Sequence, residues 1–381
     1  WWVWLQGLAV KKNPEQLGRK HVVFALVGAF LSVNSVGMVL ALAGCFSIGL
    51  LAGILLGINA LGAFMERGKG LSVQQWKKVL FARPFRGGVA VILLALAILY
   101  AAFPTEYLTG VRDPGLYIIH GVNIAKTGSF TFEYDSQLEE LYEEYGDFIS
   151  PGYPVLYTSV QYPELETEVG QVSAHFMPMY SSLLAIGYGL GGMACLLRVN
   201  AIVGILALML FYYFIKEFFF RRAEIAVLIL GLNPAQLWGA RIPETELLAQ
   251  LLFFAAMYLW MIGWRDGKKR ILIYAGFVLG YNIFNRIDMM IVGLGFLVAA
   301  AYGVVWHPEK RRGIWESCGT YLATAVLACL CLYIFSPAYY ILHIQNHALQ
   351  TAWLVNGIGL ALLLAGGLVS RIWKNVSLVR Y

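Results

Sequence analysis

Charged residues are scarce in this chain, and their scarcity already excludes an ordinary soluble domain. Asp, Glu, Lys and Arg make up 13% of the 381 residues, whereas 59% are hydrophobic. A soluble domain carries roughly 25% charged residues. The deficit falls in long blocks, and the run from His21 to Phe64 contains no charged residue. Because a membrane-spanning helix needs roughly 20 apolar residues, this run predicts two consecutive spans.

Alternating apolar and polar residues, the pattern of a membrane β-barrel strand, are also missing. The apolar runs are continuous, which favours helices whose backbone hydrogen bonds are satisfied within the segment. The net charge of +6 does not indicate nucleic-acid binding, because the basic residues occupy short gaps between apolar runs. Few cysteines are present, and without paired spacing they predict neither a disulfide framework nor a zinc motif. They are Cys45, Cys195, Cys318, Cys329 and Cys331.

These observations predict an all-α polytopic membrane protein with about ten transmembrane helices and a large outer loop that carries juxtamembrane helices. The predicted spans are 22–42, 45–64, 87–104, 199–219, 223–240, 246–263, 271–285, 289–306, 315–336 and 351–370. Residues 1–86 are expected to form an N-terminal two-helix segment with cytoplasmic flanks, and 87–381 the core, including the outer loop 105–197. The chain opens at Trp1 and stops at Tyr381 directly after a helix, so we expect it to be a fragment.

The distribution of basic residues decides how the apolar stretch 176–197 is interpreted. If this stretch does not cross the membrane, most of the 28 Lys and Arg residues lie on one face, which the positive-inside rule makes cytoplasmic. If it crosses, many of them move to the outside. We therefore predict that 174–197 is a juxtamembrane or re-entrant helix on the outer side. An integral plasma (inner) membrane protein with an extracytoplasmic active face is the corresponding expectation.

The acidic segment 105–172 is predicted to lie on that outer side. Its part 113–126 is expected to form an amphipathic helix, with Leu116, Ile119, Val122 and Ile124 on the apolar side. The part 133–168, rich in Glu, Tyr and Pro, reads either as an ordered lid or as a mobile loop. Five polar features are predicted to share the outer boundary: 111–117, 175–180, 241–246, 285–288 and 336–350.

The polar groups in these features include carboxylates and arginines, which can serve different chemical roles. Carboxylates near a low-dielectric boundary can have raised pKa values and act as general bases, and arginines can hold a phosphate through paired hydrogen bonds. A lipid-linked phosphosugar requires both. The alternatives are helix capping for Glu244 and Glu246 and interfacial snorkelling or local ion pairs for the arginines. The carboxylates are Asp113, Glu244, Glu246 and Asp288, and the arginines are Arg112, Arg241 and Arg286.

Two further motifs have plainer interpretations. His343 and His347 would share one side of a helix and could join a metal site, although no third ligand is evident and two interfacial histidines are favoured. The run 189–192, Gly-Leu-Gly-Gly, lacks the strand and lysine of a phosphate-binding loop and predicts a bend.

Several segments resemble the GT-C superfamily of polyprenyl-phosphate-dependent membrane glycosyltransferases, which includes protein O-mannosyltransferases, the aminoarabinose transferase of lipid A and oligosaccharyltransferases. The resemblance covers about 87–306 and is one of order and spacing. The two helices before residue 65 and the acidic insert 133–168 depart from the commoner family plan. The segments are Arg112-Asp113-Pro114-Gly115-Leu116-Tyr117, His175-Phe176-Met177-Pro178-Met179-Tyr180, Arg198-Val199-Asn200-Ala201, Asn233-Pro234, Ala240-Arg241-Ile242-Pro243-Glu244-Thr245-Glu246 and Asn285-Arg286-Ile287-Asp288.

The resemblance implies transfer of a sugar from a polyprenyl-phosphate donor to a lipid, glycan or protein acceptor at the outer face, among membrane lipids and without nucleic acid. It assigns Asp113 as the catalytic base, or as a ligand of a divalent metal ion in members that use one. Glu246, with Glu244 as second choice, would assist. Arg241 and Arg286 would hold the donor phosphate. His175 and Tyr180 would line the donor or acceptor site. The substrate-binding set is completed by Arg112, Tyr117 and Asp288.

Two other functions are compatible with the same pattern. A transporter or flippase of a lipid-linked substrate would place its polar site near the membrane midplane, where the predicted helices look apolar. A non-catalytic GT-C-like subunit of a membrane assembly would bury the acidic loop against another chain.

Overall fold

The computed structural model describes residues 19–65, 87–106, 113–133, 171–172, 176–219 and 222–378, and these residues are predominantly helical. The first helices are α1 (Arg19–Leu42), α2 (Ile48–Met65), α3 (Gly87–Ala102) and α4 (Asp113–Thr127). Two short strands follow, β1 (Phe132–Glu133) and β2 (Gln171–Val172). The chain continues with α5 (Pro178–Leu196), α6 (Val199–Phe218), α7 (Ala223–Gly231), α8 (Pro234–Gly239), α9 (Glu246–Asp266) and α10 (Lys269–Tyr281). The last helices are α11 (Met289–Trp306), α12 (Arg311–Phe335), α13 (Pro337–Gln345) and α14 (Ala348–Leu378), with 3₁₀ turns at Asn282–Phe284 and Pro308–Lys310.

Six helices in the described part of the chain are long and apolar enough to cross a membrane. They confirm an integral membrane protein, whereas the predicted count of about ten is not confirmed. The candidate spans are Pro178–Leu196, Val199–Phe218, Glu246–Asp266, Met289–Trp306, Pro308–Phe335 and Ala348–Ile372, and the shorter apolar helices are Leu26–Leu42, Ile48–Gly62 and Gly88–Ala102.

The predicted span 223–240 is two short helices rather than one. Pro234 begins α8, and the Asn233 side chain accepts a hydrogen bond of 2.9 Å from the Ala235 N–H, which caps the new helix. α7 has 9 residues and α8 has 6. At 1.5 Å per residue, neither approaches the roughly 30 Å of the hydrocarbon core. The predicted span 271–285 is likewise interrupted, because α10 ends at Tyr281 and a 3₁₀ turn follows.

The bend predicted at 189–192 is confirmed inside α5. Gly191 (φ −164°, ψ 31°) and Gly192 (φ 61°, ψ −153°) leave the helical conformation, and a positive φ favours glycine because it has no Cβ. The regular part, 178–190, is therefore about 20 Å long, shorter than the roughly 30 Å hydrocarbon core. α5 meets the length and hydropathy criteria for a span only when the bend is ignored. Its predicted non-crossing placement stays a prediction.

The described residues fall into two compact units, one formed by residues up to Phe132 together with Pro178–Leu251, the other by Glu133–Met177 together with Leu252–Tyr381. In the first unit α4 packs on α5, α1 packs on α5 and α6, and α3 packs on α6 and α7. A Cβ at Gly121 of α4 would lie 2.6 Å from the Leu184 Cβ of α5. A glycine at this position therefore lets the two helices approach closely.

The helix predicted at 113–126 is confirmed as α4, but its predicted apolar face is partly wrong. Leu116 and Ile124 are buried, whereas Ile119 is exposed. The buried side also includes Tyr117 and His120. The prediction counted only aliphatic side chains, and contact with α5 buries the face on which Tyr117, Gly121 and Ile124 recur at helical spacing.

In the second unit two helix pairs pack closely, α10 against α12 and α11 against α14. Gly276 and Gly280 of α10 face the backbone of α12, where a Cβ at Gly280 would lie 2.7 Å from the Tyr321 carbonyl oxygen. Glycines four residues apart allow membrane helices to approach closely. The Ser317 hydroxyl donates a hydrogen bond to the Leu272 carbonyl across the same contact.

Candidate functional site

The turn between α8 and α9, which carries the predicted residues Arg241, Glu244 and Glu246, is held by one asparagine in the first turn of α6. The Asn200 side-chain amide donates to the carbonyl oxygens of Gly239 at 3.0 Å, Ile242 at 2.6 Å and Glu244 at 2.8 Å. Asn200 is 1% exposed. Since leaving buried backbone carbonyls unpaired is costly, this amide fixes the path of the turn.

Two tyrosines connect the turn to α4. The Tyr180 hydroxyl donates a hydrogen bond of 2.8 Å to the Asn200 side-chain oxygen. The ring of Tyr180 packs edge-to-face on Tyr117, with ring centroids 5.0 Å apart. Asn200 also donates to the Glu244 carbonyl, and Glu246 begins α9 two residues later, so both residues belong to the segment that this asparagine holds. We call this group of residues the tyrosine–carboxylate cluster. It comprises the predicted residues Tyr117, Tyr180, Glu244 and Glu246.

Asp113 lies on the same helix as Tyr117. It occupies the first turn of the helix, four residues before Tyr117, and residues four apart lie on the same helix face. A carboxylate in the first turn also interacts favourably with the helix dipole. Asp113 and Glu246 are exposed and Glu244 is partly exposed, whereas Tyr117 and Tyr180 are buried. The three carboxylates are therefore accessible to a substrate, whereas the two tyrosine rings are not.

Arg241 is anchored at the C-terminal end of α3. Its Nε donates to the Phe103 carbonyl oxygen at 2.6 Å, and its guanidinium carbon lies 5.9 Å from the centre of the Phe103 ring. The Thr105 N–H donates to the Arg241 carbonyl at 2.8 Å. Cations at a helix C-terminus pair favourably with its free carbonyls. Within the described residues the two terminal nitrogens of Arg241 make no hydrogen bond. They can therefore donate hydrogen bonds to a ligand while Nε keeps its bond to Phe103.

Arg198 caps the same helix end. Its Nε donates to the Ala101 carbonyl at 3.1 Å and its Nη1 to the Ala194 carbonyl at 2.8 Å. The sequence had singled out Arg198, both by its predicted place on the outer side and by the resemblance, but it did not foresee the holding role of Asn200. An asparagine in the first turn of an otherwise apolar helix is the signal that could have drawn attention to this role, because such a residue needs buried partners.

The second unit carries another predicted turn, with Arg286 and Asp288. Their side chains form a close ion pair, with Arg286 Nη2 2.9 Å from Asp288 Oδ2 and Nε 3.0 Å from Oδ1. This geometry is the bidentate arrangement that arginine also uses for phosphate. The predicted phosphate-binding role of Arg286 therefore requires that a ligand compete with Asp288, whereas Arg241 has terminal nitrogens available.

His343 lies near the same turn. Its Nδ1 donates to the Tyr339 carbonyl at 2.9 Å, because a carbonyl oxygen can only accept. In the neutral ring Nε2 is then the acceptor nitrogen. Burial lowers the pKa of His343 below its ordinary value, while the hydrogen bond to Tyr339 and the charge of Asp288 oppose that change.

The predicted pairing of His343 and His347 on one helix is wrong. α13 ends at Gln345, and His347 has a φ of 56° between α13 and α14, so the two rings are not one helical turn apart. Among the described residues, no group of three or more His, Cys, Asp or Glu side chains is arranged to hold a metal ion. Of the predicted site residues, Arg112 and His175 lie outside the described ranges, as does most of the acidic loop.

Comparison with known proteins supports the resemblance. The model of the dolichyl-phosphate-mannose-protein mannosyltransferase family matches residues 176–341. The match confirms the predicted resemblance to the GT-C superfamily and supports a membrane glycosyltransferase of that type. It includes Tyr180, Asn200 and the turn 241–246, whereas Asp113 precedes it. Neither the curated proteins nor the solved structures gave a match.

Proposed function

We propose that this chain transfers a sugar from a polyprenyl-phosphate donor to a hydroxyl-bearing acceptor at the extracytoplasmic face of the plasma membrane. The observation that supports this most directly is the Asn200 network. It holds the turn that carries Arg241 and Glu244 and leads to Glu246 at the start of α9, and it includes the Tyr180 hydroxyl. The family match over 176–341 supports the same reaction type. The polyprenyl-phosphate donor, the extracytoplasmic face and the plasma membrane are proposed here together with the reaction.

In the proposed reaction Asp113 acts as general base. The acceptor oxygen attacks C1 of the sugar while its proton passes to the Asp113 carboxylate. The bond between C1 and the phosphate oxygen breaks, and polyprenyl phosphate leaves with the bonding electrons. Because negative charge grows on that phosphate in the transition state, a nearby guanidinium stabilises it, and the terminal nitrogens of Arg241 are assigned this role. Glu246 and Glu244 would orient the acceptor and the sugar through hydrogen bonds to hydroxyl groups.

Dependence on a divalent metal ion is tested separately. Among the described residues no group of three or more His, Cys, Asp or Glu side chains is arranged to hold a metal ion, and Asp113 would be a ligand if such an ion took part. Transfer measured before and after chelation, with Mg²⁺ or Mn²⁺ added back, tests whether such an ion is needed. Loss of transfer on chelation and its return with one of these ions would add a metal to the site.

The proposal is tested by replacing Asp113 with Asn, which keeps the size of the side chain and removes its basicity. We expect transfer from a lipid-linked donor in membranes to fall by about 10²–10⁴-fold, the usual contribution of a general base. The matched control is Glu309→Gln, a carboxylate 62% exposed in the turn before α12, which should transfer at the rate of the unmodified chain. Undiminished turnover by Asp113→Asn would remove Asp113 from the mechanism.

The same preparation distinguishes the alternatives. A transporter or flippase would move a labelled lipid-linked sugar between leaflets without forming a glycosidic bond. A non-catalytic subunit would do neither when purified alone. Formation of the glycosylated acceptor by the purified chain would exclude both.

A further inference from the structure

A groove runs along the second unit between α10 and α12. Its volume is about 540 Å³, and it opens to the side of the helix pair. One wall is Ile273 of α10, and the other is a face of α12 that repeats at helical spacing: Glu316, Gly319, Thr320, Ala323, Thr324 and Leu327. A Cβ at Gly319 would meet nothing within 4 Å, so this face is open rather than packed.

The wall of the groove is apolar even where threonines contribute to it. The Thr320 hydroxyl donates to the Glu316 carbonyl, and the Thr324 hydroxyl donates to the Thr320 carbonyl, each at 2.7 Å. Because both hydroxyls are satisfied within α12, a ligand in the groove meets methyl and methylene groups. The exposed side chain of Leu327 extends the apolar lining away from Glu316. A hydrocarbon chain fits such a wall better than a polar ligand does.

The mouth of the groove is basic. Lys269 Nζ lies 2.6 Å from Glu316 Oε1, and Arg312 Nε lies 3.0 Å from the same oxygen. Arg270 is exposed, lies one turn before Ile273 on α10, and has no ion-pair partner among the described residues. Two cations therefore contact one carboxylate, and Arg270 adds a third positive charge near the start of α10, which leaves an excess of positive charge where α10 and α12 begin.

The depth of the groove matches one leaflet of a bilayer. The eleven steps from Glu316 to Leu327 correspond to about 16 Å along α12 at 1.5 Å per residue, about half of the roughly 30 Å hydrocarbon thickness. A spanning helix of another chain would use the whole thickness, whereas a phospholipid acyl chain uses one leaflet.

We propose that this groove binds one anionic phospholipid, with its acyl chain against Gly319 and Ala323 and its phosphate beside Lys269, Arg270 and Arg312. The groove is lined by residues of the second unit alone, and the proposal does not depend on the proposed transferase activity. Charge complementarity selects the head group, because a basic cluster at the membrane surface attracts anionic lipids.

The test is native mass spectrometry of the purified full chain titrated with phosphatidylglycerol or phosphatidylcholine of identical acyl chains. We expect the first phosphatidylglycerol to bind more tightly than phosphatidylcholine. Gly319→Leu fills the groove and should weaken binding of both lipids about tenfold. Arg270→Gln should reduce the preference for phosphatidylglycerol about fivefold, because one cation is removed from the mouth.

The matched control is Gly295→Leu on α11, an exposed glycine whose Cβ would also meet nothing within 4 Å, and its lipid binding should equal that of the unmodified chain. Ala323→Leu, also on the exposed face, provides a second filling variant, and thermal unfolding identifies any variant that fails to fold. Equal affinity for both lipids in the unmodified chain would overturn the proposal. So would a change from dimer to monomer in Gly319→Leu without lipid loss, because it would identify another copy as the occupant.

Discussion

Each of the two units contains a hydrogen bond from a tyrosine hydroxyl to an asparagine side chain, but the asparagine has a different role in each. In the first unit the Tyr180 hydroxyl donates to Asn200, and in the second the Tyr321 hydroxyl donates to Asn356, both at 2.8 Å. Asn200 lies in the first turn of its helix and reaches three carbonyls of a turn. Asn356 lies within α14 and donates to the Met290 carbonyl of α11 and to the Ala352 carbonyl of its own helix.

The position of the asparagine within its helix therefore decides what it stabilises. At a helix start the amide is close to an irregular turn whose carbonyls have no helical partners, and it positions the charged residues that the turn carries. Inside a helix it secures the packing of one helix on another. The first arrangement belongs to the proposed site and the second to the structure of the second unit.

The largest expected effect comes from exchanging each asparagine for alanine. Asn200→Ala should lower the turnover of folded protein about 10²-fold, because displacing the turn by about 1 Å misplaces Arg241 and the carboxylates. Asn356→Ala should leave turnover per folded molecule nearly unchanged and lower the free energy of unfolding by about 1–3 kcal/mol. Transfer assays normalised to folded protein, with thermal unfolding in detergent, measure both quantities. Equal losses of turnover in the two variants would contradict the distinction.

A smaller effect should separate the two arginines. Arg241→Gln should lower kcat/KM for the lipid-linked donor about tenfold or more, because a charge-assisted hydrogen bond contributes about 1.5–3 kcal/mol. Arg286→Gln should lower it less, since Asp288 already occupies that guanidinium. Steady-state kinetics with varied donor concentration provide the measurement. A larger loss of kcat/KM in Arg286→Gln would place the phosphate in the second unit.

The smallest effect concerns pH and His343. Because its pKa is lower in the folded chain than the ordinary 6.5, the unfolded chain binds the proton more readily below that value. The free energy of unfolding should therefore be unaffected by this group above pH 6.5 and fall as the pH drops through the folded pKa. His343→Gln should remove this part of the pH dependence. Thermal unfolding at pH 7.5 and 5.5 compares the two proteins, and an identical acid sensitivity would assign the effect to other groups.

The sequence predicted the helices where hydropathy is continuous and the backbone is regular. It predicted the helix at 113–126 and the bend at 189–192, because an apolar repeat and a glycine pair report directly on backbone geometry. It missed the helix break at Asn233, although Asn-Pro is visible in the sequence. The surrounding residues are apolar, and hydropathy alone does not detect a helix N-cap.

The site was predictable in its residue types and less so in its contacts. Charge placement selected Asp113, Glu244, Glu246 and Arg241, since few ionisable groups remain once the basic face is assigned. The hydrogen bonds of Asn200 depend on tertiary approach of a turn distant in the chain, which no local pattern encodes. Arg286 and Asp288 are two residues apart, and this spacing allows either an ion pair between them or two side chains that both face a ligand. The sequence therefore did not decide between these arrangements, and the structure shows the ion pair.

The most direct test of the central claim is a structure of the full chain with a non-hydrolysable polyprenyl-phosphate sugar bound in a membrane. The account predicts the donor phosphate within hydrogen-bonding distance of the terminal nitrogens of Arg241, with C1 of the sugar facing Asp113. A phosphate bound elsewhere, with the Asn200-held turn remote from the sugar, would contradict it.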